Sequence, residues 1–337
     1  MHLLKTIGIL TLSLLLNCFP LAPAHAEFPQ TLVIADTALD SSMSEFSSNI
    51  VLELCILERA TCPNGQNFME GKGSANLPSN YLFSNGFNHG TQMVSASVRT
   101  NPNIKIIFIR MVANSAFGAR LNSSDYAIAK VLDWVNKNKD QYNIQAVAIS
   151  QGHHNLSLLT DYCPKSSLVD PLIDKLMTKG IPFLSPAGNS GDKSRIDWPA
   201  CNSQVISVGA LNPDRSVATY GNMDINLIDY FELGSLKVLD ANGSERISVG
   251  SSVSVQVAAA KWMLLRQKYP DYDFLRTKEV LDAQIDYKTD ISGIKIGAIK
   301  KEVLSVISEF QIVETIDEIR GMIENLKNLI LGLIYFK

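Results

Sequence analysis

Thr31-Leu32-Val33-Ile34-Ala35-Asp36-Thr37 decides how the rest of this chain is read: five apolar or β-branched residues run directly into an acid. A short apolar run without polar alternation suits a strand buried on both faces, the kind found in parallel sheets between helices. Ile104 to Val112, Gln145 to Ser150, Ile181 to Ser185 and Gln204 to Gly209 have the same character. Helical periodicity lies between them. Ser123 or Ser124 can cap a helix whose apolar face includes Ala127, Ile128, Val131, Leu132 and Val135, and Lys179-Gly180 closes another that begins near Ser167. The alternation predicts an α/β fold of three layers, a mostly parallel central sheet covered by helices on both faces. Ligands of such sheets sit beyond the carboxyl ends of the strands, and Asp36 stands at one of those ends.

The composition narrows the field. Of 337 residues, 46% are hydrophobic and 19% charged, enough to bury a large core and to exclude wholesale disorder. A formal charge of -3 leaves no electrostatic footprint for wrapping nucleic acid or for a polybasic membrane anchor, so no nucleic-acid partner is expected. No fixed-period repeat is visible, which removes solenoid readings.

Residues 1–26 read as an address. Lys5 precedes the apolar run Ile7 to Leu16, and Ala24-His25-Ala26 offers small residues at the two positions a signal peptidase reads, so cleavage is expected after Ala26. Asn17, Pro20 and Pro23 cut the apolar stretch short of the about 20 residues that span a bilayer. Leu15-Leu16-Asn17-Cys18 is a weaker lipoprotein-like alternative, because Asn17 stands where a small residue is wanted. The expected location is therefore outside the cytosol, in a periplasm or in the medium. Four cysteines follow the leader, and an even number there suggests disulfides. Of the three pairings, Cys55 with Cys62 and Cys163 with Cys201 is favoured because the first two are close in sequence; four buried free thiols are the alternative.

Residues 27–290 form the expected main domain, with a soft boundary. From about Ile291 glycine punctuation fades, and Ile312, Ile316, Ile319, Ile323, Leu326, Ile330 and Leu333 recur in steps of four and three. That heptad seam predicts an amphipathic helical segment over 291–337. It could pack on its own domain, meet a protein partner, or touch a membrane through residues 302–336.

Four polar places stand at element ends. Asp36 closes the first strand. Asn88-His89-Gly90-Thr91 opens a helix through Met93, Val94 and Val98, with His89 in its first turn. Pro186-Ala187-Gly188-Asn189-Ser190-Gly191 follows the strand ending at Ser185, where an amide side chain could serve as an oxyanion donor. Gly250-Ser251-Ser252-Val253-Ser254 opens an apolar helix that runs to Pro270. Each alone has an ordinary explanation as a cap, a turn or a satisfied polar residue.

Together they resemble the subtilisin-like serine peptidases over roughly Thr31 to Lys288, whose motifs are a strand ending in aspartate, a His-Gly-Thr helix start, an Ala-Gly-Asn loop and a Gly-Thr-Ser helix start. Their order of acid, histidine and serine is that family's order. The resemblance implies an exported serine endopeptidase acting on polypeptides. Ser252 would be the nucleophile, His89 its general base, Asp36 the residue orienting the imidazole, and Asn189 a member of the oxyanion hole, with Ser251 where the family usually has threonine. Apart from His89, only the adjacent His153 and His154 follow the leader, and these are read as loop residues. The resemblance also makes Ser150-Gln151-Gly152 and Ser185-Pro186-Ala187 the walls of the primary specificity pocket. Neither wall carries an acid, which points to an apolar or uncharged preference. No cofactor is implied; a structural calcium is common in the family, but no aspartate-rich loop can be assigned to one.

The chain also departs from the family pattern. Asp36 follows Ala26 by ten positions, where the family usually has a sizeable propeptide. Ala38, Gln92 and Gln256 occupy places where glycine, histidine and proline are usual. The short spacer before Asp36 and the unusual C-terminal segment motivate a second reading, a catalytically silent or partner-activated binding protein on the same fold.

Overall fold

The computed structural model describes residues 28–84, 86–115, 117–153, 163–289, 295–301 and 303. The leader, His154 and nearly all of the C-terminal heptad segment lie outside them. The first strand, β1 (Thr31–Asp36), is wholly buried and takes the centre of a ten-stranded sheet. Chain order continues with β2 (Ile50–Ile56), β3 (Phe68–Glu70), α1 (Ser79–Ser84), α2 (His89–Thr100), β4 (Lys105–Arg110), α3 (Asp125–Asn138), β5 (Ile144–Ile149), α4 (Asp170–Thr178) and β6 (Phe183–Pro186). Then come β7 (Ile206–Leu211), β8 (Tyr230–Leu233), β9 (Ser235–Leu239), β10 (Glu245–Val249), α5 (Ser251–Lys268), α6 (Phe274–Asp282), β11 (Ile285–Thr289) and β12 (Lys295–Ile299).

The sheet order is β11-β12-β8-β7-β6-β5-β1-β4-β2-β3, parallel except where β3 and β11 pair antiparallel at the two edges. The short outer strands were not legible as apolar runs, because half-covered edges need no continuous hydrophobicity. The sheet also continues through β12, beyond the soft boundary read near residue 290. A separate β9-β10 hairpin packs beside α2.

Alternate side chains along the central strands divide two cores, as the period-two pleat requires. Val33 and Ala35 of β1, with Ile107, Ile109, Val147 and Ile149, pack under α3 and α4. Leu32 and Ile34, with Ile106, Phe108, Ala146 and Ala148, pack under α2, α5 and α6. Ser124 caps α3 by accepting from the Ala127 N–H, one of the two caps the sequence offered. Helix α5 is buried nearly all round, which explains its lack of a polar stripe. Val253 and Val257 meet Met93 and Ala96 of α2, while Trp262, Met263 and Leu265 reach the sheet. Inside this apolar setting Lys261 pairs with Glu232 of β8 and donates to the Lys300 carbonyl at 2.8 Å; burial pushes its ammonium below its ordinary pKa. Cys55 is bonded to Cys62 and Cys163 to Cys201.

The far end of α2 is tied down by charge. Arg99 donates Nε and Nη2 to the two oxygens of Glu45, at 2.9 and 2.8 Å, and Nη2 also reaches Glu245 of β10. That guanidinium holds Glu45 below its ordinary value of 4.5, against the opposing pull of burial. A carboxyl depressed in the folded state stabilises above its unfolded pKa and loses that contribution as pH falls through the folded one. Glu45→Gln should therefore cost under about 1 kcal/mol at neutral pH and flatten the stability loss below about pH 4.5, read by urea melts across pH.

Candidate active site

Asp36 is the last residue of β1 and is fully buried. A carboxylate without water needs donors, and three converge on its Oδ1: the Thr37 N–H at 2.6 Å, His89 Nδ1 at 2.8 Å and Gln151 Nε2 at 3.1 Å. Because the carboxylate accepts from Nδ1, the neutral ring keeps Nε2 as its basic nitrogen.

His89 arrives there because the chain before α2 is locked to the end of β1. The Thr37 hydroxyl donates to the Phe87 carbonyl at 2.7 Å and accepts from the Gly90 N–H at 2.9 Å. A Cβ at residue 90 would lie 2.4 Å from the Ala38 carbonyl oxygen, so the close approach of helix to strand requires glycine. The sequence marked Thr37 only as part of a motif; its bridging role depends on residues fifty positions away.

Gly250 ends the hairpin and turns the chain into α5 with φ 149° and ψ 161°, a region essentially reserved for glycine. The two serines that follow have different surroundings. Ser251 is fully buried; its N–H and hydroxyl both donate to Asn189 Oδ1, at 2.8 and 3.0 Å, and its Oγ accepts from the Gly188 N–H at 3.2 Å. With Oδ1 engaged, Asn189 keeps its Nδ2 hydrogens for another acceptor. Ser252 is half-buried in the first turn of α5, its Oγ 3.5 Å from the Ser150 carbonyl.

A cleft of about 260 Å³ joins these parts. His89, Asn189 and Ser252 line it, as do Ser150, Gln151, Gly152 and Pro186 from the two strand ends. Ser185 and Ala187 do not line it; both are fully buried, Ser185 within β6 and Ala187 with its N–H on the Val208 carbonyl. Two charged residues that the sequence did not single out do line it, Arg120 and Asp197. Asp197 lies between the walls: its N–H donates to the Ala187 carbonyl at 2.8 Å, and the next residue, Trp198, pairs with His153. Neither Ser150–Gly152 nor Ser185–Ala187 carries an acid, yet the cleft lined by Ser150, Gln151, Gly152 and Pro186 also has Asp197 on it. No motif or spacing announced either residue, since both reach the cleft from remote loops.

Two departures from the family pattern also find physical partners. Gln256 Nε2 donates to Ser150 Oγ at 2.9 Å, and its Oε1 accepts from Ser97 at 3.0 Å, which ties α5 to the β5 loop and to α2. Gln92 Oε1 accepts from Ser248 of β10 at 2.9 Å. His153 stacks on Trp198 with ring centroids 4.9 Å apart. Among the described residues no group of three or more His, Cys, Asp or Glu side chains could hold a metal ion.

Comparison with known proteins places the chain in a family and a fold. Residues 30–283 match the family model described as the subtilase family. Subtilisin NAT of Bacillus subtilis subsp. natto is 24% identical over 211 residues, covering 61% of this chain and 52% of its own. Subtilisin of Bacillus pumilus shows the same identity over 72% of its length. The chain thus spans about half the length of the first of these relatives. A cold-adapted subtilisin-like serine proteinase superposes with a TM-score of 0.60 at 18% identity, over 82% of this chain and 89% of that one. A psychrophilic protease gives 0.62 at 17% identity, over 81% and 92%. At such identities the superpositions establish the fold.

The turn into α5 supplies a direct test of the local geometry. Gly250→Ala should lower stability by about 1–3 kcal/mol in chemical denaturation, since a Cβ is strained at this φ and ψ. An unchanged midpoint would mean that the turn has another conformation.

Proposed function

Because the chain belongs to the subtilase family, we propose that it is a serine endopeptidase that hydrolyses peptide bonds through an acyl-enzyme on Ser252. The observation that carries this reading is the bond from His89 Nδ1 to the buried Asp36 carboxylate, on the same cleft as Ser252. In the proposed reaction, Ser252 Oγ attacks the scissile carbonyl carbon while His89 Nε2 takes the hydroxyl proton. Asp36 keeps the ring in the required tautomer and stabilises the imidazolium. His89 then returns the proton to the leaving amine as the carbon–nitrogen bond breaks. Water, deprotonated by the same imidazole, hydrolyses the ester and restores Ser252.

The negative charge that develops on the carbonyl oxygen needs donors already in place. Asn189 Nδ2 and the Ser252 N–H would supply them, with the positive end of the α5 dipole behind. Ser251 serves this step indirectly by holding Asn189 Oδ1. The substrate is a polypeptide whose extended backbone adds as a strand against Ser150–Gly152 and the Pro186 side of the cleft.

Export is part of the proposal. Two disulfides fit an oxidising compartment, and among the described residues no helix is long and apolar enough to cross a membrane.

A fluorophosphonate probe should label the purified protein, and Ser252→Ala should abolish labelling. Asn189→Ala should retain the fold and lower kcat by about 100- to 1000-fold, the magnitude known for loss of the oxyanion-hole asparagine in a subtilisin. A folded wild-type protein that neither labels nor cleaves peptides would support the silent or partner-activated binding protein instead.

A further inference from the structure

We propose that Gln151 is a positioning residue for the catalytic aspartate, held in its working orientation by Arg120. The inference rests on the peptidase reading above and reassigns Gln151 from a wall that meets substrate to a support for the Asp36–His89 pair. Gln151 is only 4% exposed, and its amide lies between two partners that dictate its polarity. A carboxylate only accepts and a guanidinium only donates. With Arg120 Nη2 at 2.7 Å from Oε1 and Asp36 Oδ1 at 3.1 Å from Nε2, the amide has one satisfactory orientation. The charge on Arg120 polarises the amide and strengthens its donation to Asp36, as neighbouring hydrogen bonds do in a low-dielectric setting.

The consequence for chemistry lies in where the bond falls. Asp36 Oδ2 accepts no hydrogen bond among the described residues, so Thr37, His89 and Gln151 all act on Oδ1. Thr37 approaches from the backbone and Gln151 from across the strand boundary, and together they fix the carboxylate's rotation about its Cβ–Cγ bond. That rotation sets the line along which His89 is held. Without Gln151 the carboxylate can turn its unbonded oxygen toward the ring.

Arg120 is itself anchored. It forms an antiparallel bridge with Asn114, whose Oδ1 accepts from Nη2 of the buried Arg110 at 2.6 Å. The same two segments are joined further by Leu121 N–H on the Ala113 carbonyl at 3.0 Å. Arg110 is the last residue of β4 and lies beside Asp36 in the sheet register. The support for Asp36 therefore begins on the strand next to its own, leaves the sheet through the Asn114–Arg120 bridge, and returns through Gln151.

A double-mutant cycle tests this. Gln151→Leu should lower kcat about tenfold, the effect of losing one hydrogen bond to a charged group, with KM changed less than about twofold. Arg120→Ala, at an exposed position that does not threaten folding, should act in the same direction by less. The double variant should be no worse than Gln151→Leu alone, because Arg120 acts through Gln151. The downfield Nδ1–H proton resonance of His89 should move in both single variants. A change confined to KM, additive losses, or an unmoved resonance would overturn the proposal and return Gln151 to the substrate wall. If the wild-type protein neither labels nor cleaves, the peptidase reading fails by itself, while the resonance still reports whether Gln151 positions Asp36.

Discussion

A carboxylate buried at the end of a central strand is the constraint around which this molecule is organised. Asp36 has no exposed surface, so its charge must be met by protein donors. Each donor comes from a different part of the chain: the residue that follows it, the start of α2, and the loop after β5. Satisfying one acid thus draws three elements to one end of the sheet. The cleft is where their ends meet, beyond the carboxyl termini of parallel strands, as open α/β sheets generally arrange their sites.

The apolar layers give that meeting point its rigidity. Helix α5 has to be held from several sides for Ser252 to keep its place, and it is: by α2 through Val253 and Val257, by the sheet through Trp262 and Leu265, and by β8 through the Lys261–Glu232 pair. The ion pair lies inside an apolar core, where removing one partner would strand a charge. Polar contacts nearer the cleft are finer. Gln256 joins three elements with one amide, and Ser251 orients Asn189 with both its N–H and its hydroxyl. Buried residues thereby set the geometry of those proposed to meet a substrate.

The central strands, the α3 cap and the element ends bearing Asp36, His89, Asn189 and Ser252 were legible in the sequence, because apolar runs, caps and turn glycines are local signals. Proximity along the chain favours Cys55 with Cys62, and the structure has that bond together with Cys163 to Cys201. The edge strands were harder, since β3 and β11 are largely exposed and carry no apolar run. The two segments expected to wall a specificity pocket meet the cleft only in part. Pro186 faces the cleft, whereas Ser185 and Ala187 point into the interior, because successive side chains of an extended segment alternate in direction.

By itself, then, the order of residues determined a parallel sheet between helices and placed an acid, an imidazole, an amide and a hydroxyl at the ends of its elements. Only the tertiary structure decided which polar groups share a cleft and what holds them. Arg120 and Asp197 enter it from remote loops, and Gln151 turns inward to an acid 115 positions away. The physical reason is range: strand and helix signals arise from neighbours a few residues apart, whereas a buried charge selects partners by distance in space, which no local pattern encodes.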